Sequence, residues 1–260
     1  MSILLALFLG LVQGLTEFLP VSSSGHLILA QHLLNMPEDL LLFNILLHIA
    51  TLLAVMIVFY KRIWNLVRHP IQPTNLYLII ATAITVGFVL LFNDLIEGTF
   101  TPRVLPITFL ITATLLYSTT FFGDKSTPDI PAPFKVKKPL TLTTAVAAGL
   151  AQSIAVIPGF SRSGFTITAA LATGTKRERA AEFSFLMSIP IIIAALVYEL
   201  ISNPAPTIPS AGPMIIAFLA ALVSGIFAIR FMLHIVKKIK LGWFSLYLVI
   251  LSIVTMFILW

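Results

Sequence analysis

Three groups of polar residues interrupt long apolar runs, and each is of a kind that handles an anion. Gln13 and Glu17 are four positions apart and share one face of a helix. A carboxylate at membrane depth costs about 2.5–3.5 kcal/mol even on a lenient insertion scale, so Glu17 needs a partner or a task. Ser22, Ser23, Ser24, Gly25 and His26 follow at once. They offer hydroxyls, backbone N–H groups and an imidazole, the side chain best placed to move protons near neutral pH. The third group runs Pro158-Gly159-Phe160-Ser161-Arg162-Ser163-Gly164-Phe165-Thr166. Glycine there permits a tight turn whose N–H groups converge on one oxyanion. A helix starting at the turn adds its positive dipole end. Arg162 adds a planar fork that matches phosphate in a bidentate way.

Each group also has a plainer reading. Glu17 could glue helices together, His26 could be satisfied by a backbone carbonyl, and serines let helices pack closely. Arg162 and Glu17 could be a simple ion pair. A bound phosphate accounts for the glycines and serines as well, which an ion pair does not.

The first and third groups are related. Moving Gly10–His26 along the chain by 139 positions, without gaps, sets Gly10 on Gly149, Gln13 on Gln152, Ser22 on Ser161, Ser24 on Ser163 and Gly25 on Gly164. Each stretch is an apolar segment that breaks at proline and glycine into a serine-rich turn. The pair reads as two halves of one membrane-buried phosphate site.

The elements that must position these residues follow from composition. The chain has 260 residues, 58% of them hydrophobic and 10% charged, with a mean hydropathy of +1.04. Soluble domains carry about 25% charged residues, so this is an integral membrane protein. It has no cysteine, which excludes a disulfide framework, a thiolate metal site and a cysteine nucleophile. Met1–Leu19 has no basic start and no Ala-x-Ala-like site, and reads as a retained segment, not a cleaved signal.

Six apolar segments have the roughly 20 residues a spanning helix needs: 42–60, 75–93, 104–122, 180–201, 211–234 and 241–259. The rest form two couples, 3–19 with 26–34 and 141–157 with 164–173. Their second arms are short, so each couple reads as a re-entrant hairpin, 3–34 and 141–173. One hairpin plus three spans per half forces the second half upside down. The expected fold is an all-α integral membrane protein with an inverted-topology repeat. Residues 1–122 form the first repeat, 123–140 a cytoplasmic linker rich in proline, and 141–260 the second repeat.

Charge gives an independent orientation. With both termini outside, the inside loops hold Lys61, Arg62, Arg68, Lys125, Lys135, Lys137, Lys138, Lys176, Arg177, Arg179, Lys237, Lys238 and Lys240, which is 13 of the 16 basic residues. The outside loops hold Arg103 with Glu38, Asp39, Asp94 and Glu97. The net charge of +6 is thus a topology signal, not a nucleic-acid surface.

These motifs resemble the bacterial undecaprenyl pyrophosphate phosphatase family, the bacitracin-resistance phosphatases, over essentially the whole chain. That family's Glu/Gln placed four residues before a Glu resembles Gln13 and Glu17. Its Ser-Ser-x-Gly-His run resembles Ser22 to His26, and its Pro-Gly-x-Ser-Arg-Ser-x-x-Thr motif resembles Pro158 through Thr166 at every fixed position. The resemblance implies hydrolysis of undecaprenyl pyrophosphate to the monophosphate, a site open to the outer face of the plasma (inner) membrane, and dependence on a divalent cation. Two positions depart from the pattern. Gln13 stands where many members have Glu, and Asn44 where an acidic residue is common. Both remove a carboxylate, which leaves a two-metal clamp unsupported. A single Mg2+ or Ca2+ on Glu17 and phosphate oxygens fits the oxygen preference of such ions.

On this reading Arg162 and the N–H groups of Ser161 to Gly164, turned by Gly159, hold the terminal phosphate. Ser163 and Thr166 bond its oxygens. Gln13, Ser22, Ser24 and, in second rank, His48 are further substrate contacts. Ser23 is the candidate nucleophile with His26 as its base; a water activated by Glu17 or His26 competes with it. Glu182, Glu199, Arg230 and His234 read as packing or interface residues. The expected partners are a polyprenyl pyrophosphate lipid and the membrane, with self-association left open. A flippase or anion transporter is the rival function, because inverted repeats are a transporter architecture.

Overall fold

The computed structural model describes residues 1–36, 40–99, 101–121, 140–202, 210–237 and 241–260. The expected linker at 123–140 lies almost wholly outside them. So do Glu38, Asp39, Lys125, Lys135, Lys137, Lys138, Lys238, Lys240 and the side chains of Glu97 and Glu199. The described chain is all-helical: α1 (Ile3–Phe18), α2 (Ser23–Leu33), α3 (Leu41–Val58), α4 (Tyr60–Arg68), α5 (Pro73–Glu97), α6 (Leu105–Ser118), α7 (Leu142–Ile154), α8 (Arg162–Ala172), α9 (Arg177–Ser202), α10 (Ala211–Ile235) and α11 (Gly242–Leu259).

Among the described residues four helices are long and apolar enough to cross a membrane: Pro73–Ile96, Arg177–Tyr198, Ala211–Ile235 and Gly242–Leu259. Leu42–Val58 with Tyr60–Arg68 makes a fifth candidate, bent by 78°. Only 11% of the apolar window of α5 is buried against protein, so most of its surface is left for lipid. The protein is therefore a multi-pass membrane protein.

Two sequence expectations need correction here. The segment 42–60 does not run straight into a basic loop. The chain turns at Phe59 and continues as α4, which carries Lys61, Arg62 and Arg68 on a helix. Ile63, Leu66 and Val67 give α4 an apolar stripe opposite its charges. Its last carbonyls would be orphans; Asn75 Nδ2 donates to those of Leu66, His69 and Pro70 at 2.9, 3.1 and 3.0 Å. The segment 104–122 yields only the 14-residue α6 behind a 3₁₀ turn at Pro102–Val104. Ser118, Thr119 and Thr120 donate their hydroxyls to the carbonyls three residues back, at 2.6, 2.6 and 2.8 Å. Such local bonds compete with helix continuation.

The two short couples are helix pairs interrupted by irregular backbone. α1 stops at Leu19, whose extended ψ of 147° is what the residue before Pro20 prefers. α2 and α8 start earlier than the apolar pattern alone suggested, at Ser23 and Arg162. The cause is capping: Ser22 Oγ accepts from Gly25 N at 3.2 Å, and Ser161 Oγ accepts from Gly164 N at 3.1 Å. Under the 139-residue offset α2 and α8 coincide end to end.

Packing repeats the relation. α1 lies chiefly against α10, and α7 against α5. Gly10 meets Ala217 and Ala220, while Gly149 meets Ala81, the residue at the same offset from Ala220. A methyl group on Gly14 would stand 2.4 Å from the backbone oxygen of Ala221, so this crossing needs glycine. At the basic end, Glu182 of α9 pairs with Arg62 of α4 at 2.9 Å and with Arg179 at 3.0 Å. Glu182 is thus a packing residue, and it draws two of the basic segments to one end of the molecule. Arg230 and His234 are exposed on α10.

Candidate active site

Ser23 and Arg162 occupy the first position of α2 and α8, so capping places their side chains where each helix presents free N–H groups and its positive end. Both reach Glu17. Arg162 Nη2 forms a short ion pair with Glu17 Oε1. Ser23 Oγ donates to Glu17 Oε2 at 2.5 Å, and Gln13 Nε2 donates to the same oxygen at 3.1 Å. The carboxylate, only 8% exposed, is therefore held on both oxygens. Arg162 keeps its other terminal nitrogen, Nη1, buried and without a partner among the described residues. A guanidinium with a buried terminal nitrogen unspent beside two helix starts has the chemistry to take an anion.

These groups line a cavity of about 480 Å³. Its lining combines the polar side chains of Glu17, Ser22, Ser23, Ser24, His48, Ser161 and Arg162, with Thr16, Gln31, Asn44 and Gln152, and apolar ones from α2 (Leu27, Ile28), α3 (Ile45), the second break (Ala155, Val156, Phe160) and α9 (Ile191, Ile192, Ala195, Leu196). His48 donates Nδ1–H to the Asn44 carbonyl at 2.8 Å, which leaves its Nε2 for another contact. Asn44 Oδ1 accepts from Gln31 Nε2 at 2.9 Å, so the position that lacks an acid is still tied into the polar lining.

Other expected site residues support the cavity without lining it. His26 is not paired with Ser23. Its Nδ1 bonds the Ser22 carbonyl and its Nε2 bonds Tyr247 of α11, both at 2.6 Å, so both ring nitrogens are committed elsewhere. Ser163 donates to the Leu19 carbonyl at 3.0 Å and so laces the second break to the first. The Thr166 hydroxyl lies 2.6 Å from Ser184 and 2.8 Å from the Arg162 carbonyl, facing α9 and not a phosphate. Of the four N–H groups from Ser161 to Gly164, two are spent: Ser161 N on Thr112 at 3.4 Å and Gly164 N on Ser161 Oγ. Those of Arg162 and Ser163 stand in the first turn of α8, where a helix leaves its N–H groups without intrahelical partners. Gly159 makes the turn with φ at +87°, and a Cβ there would lie 1.9 Å from Thr108 Oγ1. Ser22 also has positive φ, 72°, a strained conformation of the kind that gathers at functional sites.

The structure thus brings Glu17, Ser23 and Arg162 into contact, and sets Ser22, Ser24, Ser161 and His48 around them. Sequence reasoning passed over Tyr247, which offers no local signal, and Gln152, whose signal was its register with Gln13.

As to a divalent cation, no group of three His, Asp or Glu side chains gathers among the described residues. Gln13 Oε1 is buried and unpartnered among the described residues, but Gln13 turns its amide nitrogen to Glu17 and does not line the cavity. Glu17 is the one carboxylate among the described residues of the lining, and it suits a hard ion that takes most of its ligands from a phosphate.

The chain matches a family model described as bacitracin resistance protein BacA over residues 6–254. It is 43% identical over 253 residues to a protein of Carboxydothermus hydrogenoformans named undecaprenyl-diphosphatase, covering 95% of this chain and 94% of that one. A protein of the same name from Treponema denticola is 42% identical over 269 residues, covering 97% and 96%. Another from Korarchaeum cryptofilum is 38% identical over 270 residues, covering 97% and 98%.

Proposed function

The chain belongs to the bacitracin resistance protein BacA family, and on that premise we propose that it is an undecaprenyl-diphosphatase, a membrane enzyme that hydrolyses undecaprenyl pyrophosphate to undecaprenyl phosphate and inorganic phosphate. The observation that carries this reading is the meeting of Ser23 and Arg162, each at a helix start, on Glu17 beside a cavity lined by both polar and apolar side chains. The polar side chains suit the pyrophosphate. The apolar ones suit the first isoprene units, while the rest of the tail holds the lipid in the bilayer at about 0.8 kcal/mol per buried methylene-like unit. Nothing in the relatives' names supports the transport alternative.

Phosphoryl transfer needs in-line positioning and charge neutralisation more than covalent help from the protein. Arg162 Nη1 and the helix-start N–H groups hold the terminal phosphate. Ser23 Oγ attacks its phosphorus while Glu17 Oε2 takes the hydroxyl proton; the bridging P–O bond breaks and undecaprenyl phosphate leaves. Glu17 passes that proton to the departing undecaprenyl phosphate and is a carboxylate again. Water then attacks the phosphoserine phosphorus and gives a proton to Glu17, the P–Oγ bond breaks, Ser23 Oγ takes the proton back from Glu17, and inorganic phosphate leaves. The Ser23–Glu17 hydrogen bond favours this route over direct attack by water, and it moves the base role from His26 to Glu17. His26 instead fixes the start of α2 through Ser22 and Tyr247. A divalent cation, Mg2+ or Ca2+, would be held by Glu17 and the pyrophosphate oxygens, and would supply charge neutralisation when bound.

The two halves form an inverted repeat in this reading, with the hairpins entering from opposite leaflets and the termini and the site on the outer side. The 139-residue correspondence of α1, α2, α5 and α6 with α7, α8, α10 and α11 supports it, as does the gathering of Arg62 and Arg179 at Glu182.

Purified protein in detergent is expected to release phosphate from a polyprenyl pyrophosphate, with the rate lost on chelation and restored by Mg2+ or Ca2+. Absence of release with either ion present would end the phosphatase reading. Ser23→Ala is expected to lower turnover by roughly 10³-fold or more. Acid-quenched wild-type protein should carry label from substrate labelled at the terminal phosphorus. A Ser23→Ala variant within threefold of wild type would move the attack to water.

A further inference from the structure

We infer that Gln152 positions the hydrolytic water of this site; the inference rests on the phosphatase reading above. Gln152 lines the cavity, is 1% exposed, and has its Oε1 buried without a partner among the described residues. Its other end is fixed. Nε2 donates to Thr85 Oγ1 at 3.1 Å, and that hydroxyl spends its own hydrogen on a backbone carbonyl, Ala81 at 3.1 Å or Gly149 at 3.2 Å. Thr85 therefore acts as acceptor toward Gln152, which settles the amide's orientation and leaves Oε1 as the free atom. A buried acceptor with nothing to accept costs about 1–3 kcal/mol, and such a group calls for a ligand with a proton to give.

Phosphate oxygens are acceptors and would be repelled by Oε1. The groups of this reaction that carry a proton to donate are the attacking hydroxyl and water. Ser23 already gives its proton to Glu17. Water is left, and either route needs one: directly on the pyrophosphate, or on the phosphoserine. An amide oxygen on a rigid helix, held by a threonine on the next helix, fixes such a water without taking its proton, leaving that to Glu17. Gln152 is the counterpart of Gln13 under the 139-residue offset. Gln13 spends its amide nitrogen on Glu17, whereas Gln152 spends its own on Thr85, away from the carboxylate. The repeat thus supplies two amides at equivalent positions with different tasks, one steadying the base and one the water.

Gln152→Leu keeps the size and removes the acceptor. In the steady state with a polyprenyl pyrophosphate it is expected to lower kcat by about 10²-fold, with KM falling alongside it so that kcat/KM stays within threefold, because only the step after phosphoserine formation is slowed. Label on acid-quenched protein should rise above the wild-type level, because the water-dependent step is the one slowed. Thr85→Val, which frees the amide to rotate, should give a smaller kcat loss of the same kind, and it keeps the test alive should Gln152→Leu not fold. Thermal unfolding in detergent checks the fold of both. Turnover within threefold of wild type in a folded Gln152→Leu overturns the inference. So does a loss carried by KM, or a raised Mg2+ requirement, which would make Gln152 a substrate or cation contact. Wild-type protein runs in the same assay, so failure of the phosphatase reading shows separately as no phosphate release from it.

Discussion

Arg162→Ala is expected to abolish phosphate release, a loss of about 10³–10⁵-fold on the scale of arginines that stabilise transferring phosphoryl groups. The size follows from what the side chain does at once. Nη2 holds Glu17 Oε1, and Nη1 is the buried donor left for substrate. Alanine removes the positive charge where the phosphoryl group passes, and removes the contact that aims the base. The fold is expected to survive. Truncating one partner of a fully buried ion pair costs about 3–5 kcal/mol, but Glu17 keeps the hydrogen bonds of Ser23 and Gln13 and borders a cavity that water can fill. Arg162→Lys separates charge from shape: it retains the cation and loses the planar fork, so it should recover only part of the rate. The measurement is phosphate release at saturating substrate, with the unfolding midpoint of each variant taken alongside. An Arg162→Ala protein that turns over near the wild-type rate would remove the anion seat on which the proposed mechanism stands.

Much of this arrangement was legible before the coordinates, and the reason differs from residue to residue. Glu17 and Arg162 could be singled out because a charge in apolar sequence is costly enough to demand an explanation. Their direct contact is the plain ion pair that the sequence also allowed, while the anion shared between them belongs to the proposed function. The breaks at Pro20 and at Pro158-Gly159 were readable because proline and glycine act locally. What eluded sequence was what depends on neighbours far along the chain. His26 stands beside Ser23 in the sequence, yet the turn of α2 sends its ring to Tyr247, 221 residues away. Thr166 belongs to the motif by spacing but is claimed by Ser184 of α9. The bend into α4 had a local cause, since charged residues leave the apolar span, but nothing in the pattern told a loop from a short amphipathic helix. The shortening of α6 was written in Ser118, Thr119 and Thr120, whose hydroxyls the hydropathy pattern counts as neutral filler.

Glu17→Gln is the second large effect, and it distinguishes a working carboxylate from a structural one. The amide has the same shape, keeps a hydrogen-bond contact to Ser23, and loses the negative charge. If Glu17 takes the proton of Ser23, kcat should fall by about 10²–10⁴-fold, the usual worth of a positioned general base. Binding should move the other way. Arg162 loses its internal counter-ion, and a pyrophosphate no longer meets a carboxylate beside it, so KM and the Kd of a non-hydrolysable bisphosphonate analogue should hold steady or fall. A plain ion pair makes a different forecast. If Glu17 only neutralises Arg162, the variant should unfold at lower temperature and bind the analogue as well or better, with kcat near normal once substrate saturates. The two readings therefore part in kcat. A Glu17→Gln protein whose kcat stays within threefold of wild type would leave Ser23 without its base. The short Ser23–Glu17 hydrogen bond would then be no more than the clasp between the end of α1 and the start of α2.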